Sequence, residues 1–420
     1  MVCVDCIQYS VPIVETSEDP SMSEQLNIGI VGGSIAGLAA ASSLVESGHM
    51  VEVFERSNSN LKDRGTGVAM DPAIIKLIDD GIGESIHSCQ VFDRDSNAAW
   101  ERPLRKRVTS WASVYNALVK RVPPSIVHPG ADVVDAGTEG NHAWVAFENG
   151  RRRRFDLVIG ADGIGSVIRP RVSPEFHARY LGYVAYRGLL PVESVPEEGR
   201  SMLDILGQSK MANFYLAGSH LVAYRVASDA GQQFVNWMWY RNVPEAELPS
   251  VLTDRTGRHH AWSVPAGRVR PELEEAISAE AKQEMDAGMA SIVQATDELS
   301  IQAIFTGNAS SFHSGRMVLI GDAARIAIPH IGAGTSMAIR DAMDLAESIH
   351  HADGDLENSL EAWAMMRRTS TIGSIEFGCE LGHELQFSNR DWQAWSTDDF
   401  DKWWNDLVGD RSLYFQPRSN

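Results

Sequence analysis

The feature that most constrains this chain is a glycine-rich turn between an apolar run and a helix-like run. Leu26–Val31 is apolar and predicts a buried strand, and Gly32-Gly33-Ser34-Ile35-Ala36-Gly37 follows at once. Apolar residues then recur at helical spacing until Gly48, and a second apolar strand ends at Glu55. A strand, a helix and a strand within about thirty residues have a right-handed parallel crossover as their default geometry.

The turn has the chemistry of a dinucleotide site. Gly32 permits the sharp turn from strand to helix, and Gly37 lets the helix pack close to the strand, so the free amides at the helix start face a pyrophosphate. Ser34 replaces the middle glycine of G-x-G-x-x-G with another small residue. Glu55 lies 23 residues after Gly32, where a carboxylate can accept hydrogen bonds from ribose hydroxyls. The alternative is a glycine-rich turn without a ligand.

Two later segments repeat the pattern of a strand followed by a turn. Asp156–Gly163 predicts a strand that ends in an acid-glycine turn. Gly321-Asp322-Ala323-Ala324 follows the apolar run 317–320 and leads through 329–335 to a long helix with one apolar face. Between about 175 and 305 the pattern changes to the two-residue alternation of aromatic and β-branched residues that antiparallel strands show. The nucleotide-binding unit is therefore split in sequence by an inserted sheet.

Composition excludes several classes of partner. The 420 residues carry a net charge of −19, and such an acidic surface repels phosphate backbones and anionic lipids. No apolar run approaches the roughly 20 residues that span a bilayer, and no signal peptide is recognisable, so a cytoplasmic protein is expected. Cys3 and Cys6 have C-x-x-C spacing without a second pair at zinc-site spacing, so no metal site is predicted.

Together the three nucleotide motifs resemble those of the single-component flavin-dependent aromatic hydroxylases, the family of p-hydroxybenzoate and salicylate hydroxylases. The resemblance implies that Gly321-Asp322 holds the ribityl and pyrophosphate parts of FAD. It also implies that the Asp162-Gly163 turn serves both FAD and the nicotinamide cofactor, NADH or NADPH, so that a second G-x-G-x-x-G motif is not needed. A helix N-terminus at Gly332–Ser336 would stabilise the negative charge of reduced flavin.

The middle of the chain narrows the resemblance. Tyr183–Gly188, Gly218–Tyr224, Asn236–Tyr240 and Ser263–Arg268 are similar to segments of hydroxypyridine hydroxylases of the 2,6-dihydroxypyridine 3-hydroxylase type. With the flavin motifs, the similarity runs from about residue 26 to about residue 375. The resemblance implies a hydroxypyridine substrate, of the 2,6-dihydroxypyridine or 6-hydroxynicotinate type.

Two positions depart from the family pattern. Trp111 stands where many relatives carry an arginine in R-x-x-L-x-x-x-L, and Arg107, one helical turn earlier, is the candidate substitute. Arg325 stands where a histidine usually follows G-D-A-A.

Candidate site residues follow from the motifs and from the resemblance. Arg187 and Tyr224 fall on inward-facing positions of the inserted sheet and are the predicted catalytic residues, which would orient and ionise a ring hydroxyl. His220 and His330 are further candidates for a base toward that hydroxyl, with a structural role as the alternative. The predicted cofactor residues are Gly32, Ser34, Gly37, Glu55, Arg56, Gly67, Ala69, Arg107, Asp162, Asp322, Gly332, Ala333, Gly334 and Thr335.

The sequence thus predicts an α/β fold with a Rossmann-like FAD-binding domain at 26–175 and 306–375. An inserted mixed β-sheet substrate domain is expected at 176–305, a loose extension at 1–25 and a helical tail at 376–420. The expected reaction uses FAD, NADH or NADPH and O2, and a flavin C4a-hydroperoxide would transfer one oxygen atom to a small aromatic substrate. A homodimer is left open.

Three alternatives remain at this point. The chain could hydroxylate a phenolic acid or a secondary metabolite on the same fold. It could be a flavin-dependent dehydrogenase or reductase that makes no productive use of oxygen. It could also bind flavin without turnover.

Overall fold

The computed structural model describes residues 25–58, 66–93 and 96–409. Its strands are β1 Asn27–Val31, β2 Met50–Glu55, β3 Gly67–Met70, β4 Glu84–Phe92, β5 Ala98–Ser110, β6 Val127–Pro129, β7 Val133–Glu139, β8 His142–Phe147, β9 Arg152–Phe155, β10 Leu157–Gly160, β11 Arg179–Pro191, β12 Lys210–Leu216, β13 Ser219–Ala227, β14 Gln233–Asn242, β15 Ser263–Val264, β16 Ser300–Asn308, β17 His313–Ser314, β18 Met317–Leu319 and β19 Arg325–Ile326. The helices are α1 Ile35–Glu46, α2 Pro72–Ile78, α3 Trp111–Val119, α4 Arg169–Val172, α5 Arg200–Leu206, α6 Leu248–Val251, α7 Pro271–Glu284, α8 Ala287–Gln294, α9 Gly334–His350, α10 Leu356–Phe387 and α11 Thr397–Val408. Short 3-10 turns include Gly321–Ala323 and Pro329–Ile331.

The first sheet carries the nucleotide motifs. Its strand order is β17-β18-β10-β1-β2-β6, and β6, β2, β1, β10 and β18 are parallel to one another. Because parallel strands point the same way, the turns after β1, β2, β10 and β18 meet at one edge of the sheet. A core of small and aliphatic side chains packs α1 and α9 against this sheet. The motifs that lie far apart in sequence therefore converge.

The second sheet has ten strands and forms the wall of the substrate region. Its main path is β15-β16-β11-β14-β13-β12-β4-β5-β3, and β19 pairs with β16. The strands are antiparallel except where β12 runs parallel to β4. Since β3, β4 and β5 precede residue 175, strand pairing crosses the predicted boundary of the inserted domain. A separate antiparallel sheet, β7-β8-β9, packs on the nucleotide-binding core.

The ten-stranded sheet is covered on both faces. One face packs on α5, α7 and α8 through an apolar core that includes Trp237 and Trp239. The opposite face carries Tyr183, Tyr224 and Tyr240 and turns toward α10, which crosses β13, β14 and β16. The side chains of the second face are the ones that can reach a molecule held between the two sheets.

The predicted fold class is confirmed, with differences in detail. Within the alternating region the chain reverses at Gly218 to form the β12-β13 hairpin. α10 runs through the predicted start of the C-terminal tail at 376. Trp392, Trp403 and other tail aromatics pack with Trp100 of β5. The N-terminal extension, with Cys3 and Cys6, lies outside the described residues.

Among the residues that the structure describes, every helix is too short or too polar to cross a membrane.

Candidate functional site

The turn after β1 can only be built with glycine. Gly32 has φ +106°, and a Cβ there would lie 2.3 Å from the Ala161 carbonyl oxygen. A Cβ on Gly37 would lie 1.9 Å from the Gly32 carbonyl oxygen, so α1 could not pack so close to β1 with any other residue. This close packing brings the N-terminus of α1 to the edge where the parallel strands end.

Backbone amides and a carboxylate face each other across this turn. The Ser34 hydroxyl makes no capping hydrogen bond within the described chain, which leaves the first amides of α1 available to a ligand. Glu55, at the end of β2, accepts hydrogen bonds from the Gly33 amide at 2.8 Å and from the Ser57 amide at 2.7 Å. These bonds fix the carboxylate beside the helix start, where it has further lone pairs for ribose hydroxyls.

A cleft of about 250 Å³ runs along this edge of the sheet. The predicted cofactor residues that line the cleft are Gly32, Ser34, Glu55, Arg56, Asp162, Asp322, Gly334 and Thr335. The structure thus brings together residues from the turns after β1, β2, β10 and β18 and from the start of α9. Gly37 lies behind the wall and shapes it.

The Gly321–Ala323 turn is held from behind by buried charges. The Gly321 amide donates to Asp341 at 3.0 Å, and Arg325 also bonds to Asp341. Arg169 donates to the carbonyl oxygens of Asp322 and Ala323, each at 3.2 Å. The Asp322 side chain faces the cleft, and desolvation by the surrounding protein raises the pKa of its carboxyl to about 6.

Asp162 presents a second carboxylate to the cleft. One of its oxygens accepts hydrogen bonds from the amides of Val167, at 2.7 Å, and Ile168, at 3.3 Å. The other oxygen is buried and has no partner among the described residues, and burial raises the pKa of this carboxyl. An orphaned acceptor, free helix amides and a cradle that admits no Cβ are what the hydroxyls and pyrophosphate of FAD require, so the residues of the cleft fit this cofactor.

The loop before α9 and strand β3 form a second wall beyond the cleft. A Cβ on Gly332 would touch the Ala69 side chain at 3.1 Å, and the Ser336 hydroxyl accepts a hydrogen bond from the Asp71 amide at 2.9 Å. Lys106 donates to the Gly332 carbonyl oxygen at 3.1 Å, and burial lowers the pKa of its ammonium group. The N-terminus of α9, preceded by Ala333, therefore has a cation close by.

Two side chains of the inserted sheet form hydrogen bonds with the backbone of Gly67 in β3. Asn236 accepts a hydrogen bond from the Gly67 amide at 2.8 Å, and Arg187 donates to the Gly67 carbonyl oxygen at 3.3 Å. Arg187 also donates to Gln302 at 2.8 Å, while its Nε has no partner in the described chain. Tyr224 lies directly opposite Asn236 across the β13-β14 pair and shares its face of the sheet.

Two histidines and two tyrosines meet near the same face of the sheet, where the pair His220 and Tyr240 lies four residues along β13 and β14 from the pair Tyr224 and Asn236. His220 stacks on Tyr240 with ring centroids 4.3 Å apart, and His330 lies 5.0 Å from His220 and 4.6 Å from Tyr240. Tyr183 meets His330 edge-on at 5.7 Å. The Gln386 amide of α10 donates to His220 Nδ1 at 2.7 Å, but both ring nitrogens of His330 and the Tyr183 hydroxyl lack partners among the residues described. We call these four rings the histidine cluster.

Burial decides the charge state of this region. It lowers the pKa of His330 to about 3 and, together with His330, lowers the pKa of His220 well below 6.5. Burial raises the pKa of Tyr224 to about 12, and the pKa of Tyr240 also rises. Burial lowers the pKa of Arg187, which nonetheless stays a cation because guanidinium is so strongly basic. At neutral pH the region therefore holds uncharged rings and one guanidinium.

Arg107 is not among the residues that line the cleft. Its guanidinium binds the Asp80 carboxylate at 2.9 Å and the carbonyl oxygens of Asp80 and Gly83, which lie between α2 and β4. Trp111, at the start of α3, instead lines the FAD cleft and stacks on Tyr115 at 5.1 Å. The predicted contact of Arg107 with the flavin therefore stays a prediction: its two terminal nitrogens bind Asp80 and Gly83, and its Nε has no partner among the described residues.

Several residues of the site were not predicted. Tyr240 and Asn236 share the two-residue period of β14, and that period was the available signal. Ala131, Asp132 and Val133 line the cleft after the short strand β6, which the sequence did not reveal. Lys106 and Gln386 carry no sequence signal, because strand pairing and the packing of α10 bring them to the site from elsewhere.

We predict that Glu55→Ala weakens FAD binding by roughly 1.5–3 kcal/mol, the usual cost of a lost hydrogen bond to a charged group. The substitution removes the ribose acceptor and the partner of the Gly33 amide together. Titration of apoprotein with FAD, followed by flavin fluorescence, measures the effect. Glu55→Gln, which keeps an acceptor oxygen, should fall between the two proteins, and an unchanged affinity in Glu55→Ala would remove Glu55 from the cofactor site.

The buried histidines predict a loss of stability in acid. The folded protein holds the pKa of His330 below its ordinary value, so the unfolded state binds a proton more readily than the folded state does. The free energy of unfolding is therefore unaffected by His330 above about pH 6.5 and decreases as the pH falls toward 3. The loss is up to about 1.4 kcal/mol for each pH unit in that window. The Tm of His330→Gln should therefore change less between about pH 7 and about pH 5 than that of the wild type. His259→Gln, in an exposed loop, is the control, and equal slopes in all three proteins would contradict the prediction.

Comparisons with known proteins agree with this geometry. Two family models match the chain: one described as an NAD(P)-binding Rossmann-like domain at residues 30–60, and one described as FAD binding domain-like at 180–306. The 2,6-dihydroxypyridine 3-monooxygenase of Paenarthrobacter nicotinovorans is 30% identical over 80% of this chain and 85% of its own length. The salicylate hydroxylase of Pseudomonas putida is 28% identical over 85% of both chains. The solved structure of 2,6-dihydroxypyridine-3-hydroxylase from Arthrobacter nicotinovorans superposes with a TM-score of 0.80 at 27% identity, covering 88% of this chain and 94% of that one.

Proposed function

Because this chain belongs to the FAD-dependent aromatic hydroxylases, we propose that it hydroxylates a hydroxypyridine with NADH or NADPH as the reductant. The ring is of the 2,6-dihydroxypyridine or 6-hydroxynicotinate type. The observation that carries the proposal is the buried polar face of the inserted sheet, which holds neutral histidines and the Arg187 guanidinium, bonded to Gly67 of β3. Similarity to an enzyme named for 2,6-dihydroxypyridine supports the same ring.

The cofactor cleft sets the geometry of the reaction. When bound, FAD supplies the electrons taken from NAD(P)H and the means of activating O2. Glu55 and the α1 amides would hold its adenosine and pyrophosphate, and Asp322 its ribityl chain. The start of α9 and Lys106 would place positive potential beside the ring system, which lowers the cost of carrying negative charge there.

The histidine cluster and Arg187 would activate the substrate. A ring attacks an electrophilic oxygen faster when its hydroxyl is ionised, so the site has to remove or share that proton. A neutral imidazole can share that proton by accepting a hydrogen bond from the hydroxyl, and His330 has both nitrogens unengaged within the described chain. The Arg187 guanidinium, aided by Tyr224, would stabilise the oxyanion, which is also the form that a low-dielectric site otherwise disfavours.

Exclusion of water is the third requirement. His220, Tyr224 and Tyr240 are each 1% exposed, and Asn236 is fully buried. A dry site strengthens the interaction between Arg187 and an oxyanion and protects reactive oxygen species from solvent. The charge state before substrate arrives, uncharged rings around one cation, suits a neutral hydroxypyridine that becomes an anion on binding.

A substrate panel tests the proposal. Hydroxypyridines with and without a carboxylate, phenolic acids such as salicylate, and simple phenols are compared by ring-stimulated NAD(P)H oxidation, oxygen uptake and product mass. A hydroxypyridine should give the highest stimulation with a mass increase of one oxygen. Stimulation by a benzenoid phenol alone would show that the substrate is a phenol and not a hydroxypyridine. NAD(P)H oxidation without oxygenated product from any ring would favour a reductase.

A further inference from the structure

A second cavity lies beside the histidine cluster and opens on the protein surface. Its volume is about 390 Å³, within the range of small-molecule sites. It is lined by β11, by the last turns of α10, which also contribute Glu380 and Glu384, and by Leu407 of α11. The residues used in the argument are Arg179, Leu181, Tyr183, Cys379, His383 and Phe387. None of these residues was predicted to bind a ligand, and none lines the FAD cleft.

Tyr183 belongs both to the lining of this cavity and to the histidine cluster. One side of its ring lines the cavity, and its edge meets His330 at 5.7 Å and Tyr240 at 6.2 Å on the other side. The side chain is 1% exposed, yet its hydroxyl has no hydrogen-bond partner among the described residues. A buried hydroxyl without a partner is costly to keep unless a ligand satisfies it.

The position of Tyr183 depends on a missing side chain in α10. The Tyr183 hydroxyl lies 2.4 Å from the place where a Cβ on Gly382 would be, so only glycine allows the ring to rest there. Because no hydrogen bond holds the hydroxyl within the described chain, rotation of this side chain breaks none.

Aromatic side chains frame the outer cavity. Phe387, 38% exposed at the end of α10, lies 6.1 Å from Tyr183 and 5.5 Å from His383, with inclined ring planes. Flat rings bind well between inclined aromatic faces, and Arg179, His383, Glu380 and Glu384 add polar groups that can hydrogen-bond to a ring hydroxyl. The cavity thus offers what a small hydroxylated ring needs.

We propose that this cavity is an outer binding site for the aromatic substrate, and that rotation of Tyr183 lets the ring pass from it to His330 and the rings around His330. The proposal rests on the proposed function for the identity of the ring. In this proposal Phe387 contacts the substrate on its way to the reaction site and takes no part in hydroxylation. A residue on the path acts on both the association and the dissociation rate constant, whereas a residue in the final site acts mainly on dissociation.

The kinetic test uses the FAD-loaded enzyme and whichever ring of the panel perturbs the flavin absorbance, with 2,6-dihydroxypyridine first. We expect Phe387→Trp to lower kon and koff together by roughly tenfold with Kd nearly unchanged, and Phe387→Ala to raise both. Met365→Trp is the matched control, because Met365 lies on the same helix and is 66% exposed far along the chain from the cavity. Wild-type rate constants in both Phe387 variants, or a change in koff alone, would overturn the proposal.

A second measurement does not depend on turnover. In a Cys3→Ser, Cys6→Ser background, modification of Cys379 by N-ethylmaleimide is followed by peptide mass, with buried Cys89 as the internal reference. Phenol or 2,6-dihydroxypyridine should slow modification of Cys379, since both would occupy the cavity. If phenol protects but no ring stimulates NAD(P)H oxidation, the outer site stands and the proposed function fails. If neither ring protects Cys379 in the millimolar range, the outer site is wrong.

Discussion

Replacement of Asp322 by alanine is expected to give a folded protein that loses most of its FAD during purification. The carboxylate faces the cleft, where it would accept hydrogen bonds from the ribityl hydroxyls. Each such bond to a charged acceptor is worth roughly 1.5–3 kcal/mol, about tenfold to a hundredfold in affinity. The turn itself should survive, because Arg169 and Asp341 bind its backbone and not the Asp322 side chain.

The measurement is the flavin content of the purified protein and the Kd for FAD added back to apoprotein. Asp322→Asn keeps the shape of the side chain and removes its charge, so its affinity should lie between those of wild type and Asp322→Ala. Asp344→Asn is the control, because it removes a carboxylate of α9 that pairs with Arg367 and does not line the cleft. Full occupancy at wild-type affinity in Asp322→Ala would show that the Gly321–Ala323 turn has been assigned the wrong role.

The cofactor half of the site could be predicted from sequence because its signals are local. Gly32 and Gly37 are dictated by close approaches within one strand-turn-helix unit, and Glu55 ends the next strand. The turns after β10 and β18 carry acid-glycine or glycine-acid pairs of the same kind. Parallel pairing of β1, β2, β10 and β18 then brings these turns to one edge of the sheet without any further information.

The substrate half could be predicted only in part. Alternation along β11, β13 and β14 places Arg187, Tyr224 and Tyr240 on one face, and that much is readable. The sequence does not say that β4 and β5 extend the same sheet, so it gave no reason to expect Lys106 under Gly332. Gln386 reaches His220 from α10 across 166 positions of sequence, a contact that only tertiary packing decides.

Arg107 is a second case in which the sequence did not predict where a side chain lies. A cation one helical turn from the family position was a reasonable substitute as long as the segment was taken as helical. The structure makes Arg107 part of strand β5, whose alternation directs it to Asp80 and Gly83. The helix begins only at Trp111, so the position that faces the FAD cleft holds an aromatic ring.

Arg187→Ala is expected to lower coupled hydroxylation by about 10²- to 10³-fold, the usual effect of removing a preorganised group that stabilises an oxyanion. NAD(P)H oxidation would continue with release of hydrogen peroxide, because the cofactor cleft contains no contact with Arg187 in the described structure. Oxygen uptake, peroxide and hydroxylated product are measured together, with flavin content as the control. Arg187→Lys keeps the charge without the paired bonds to Gln302 and Gly67, so it should recover part of the coupling.

The two roles that the structure allows for Arg187 give different results in this experiment. If the guanidinium mainly ties the inserted sheet to β3 through Gly67, Arg187→Ala would lose FAD or lower the Tm, and Arg187→Lys would not recover coupling. If it stabilises an ionised ring hydroxyl, flavin content and Tm stay near wild type while coupling collapses, and the loss is largest for the ring with the least acidic hydroxyl. The second pattern is the one that we predict, since one of the Arg187 nitrogens is unpartnered within the described chain and the rings around it are uncharged. Wild-type turnover and coupling in Arg187→Ala would exclude both roles.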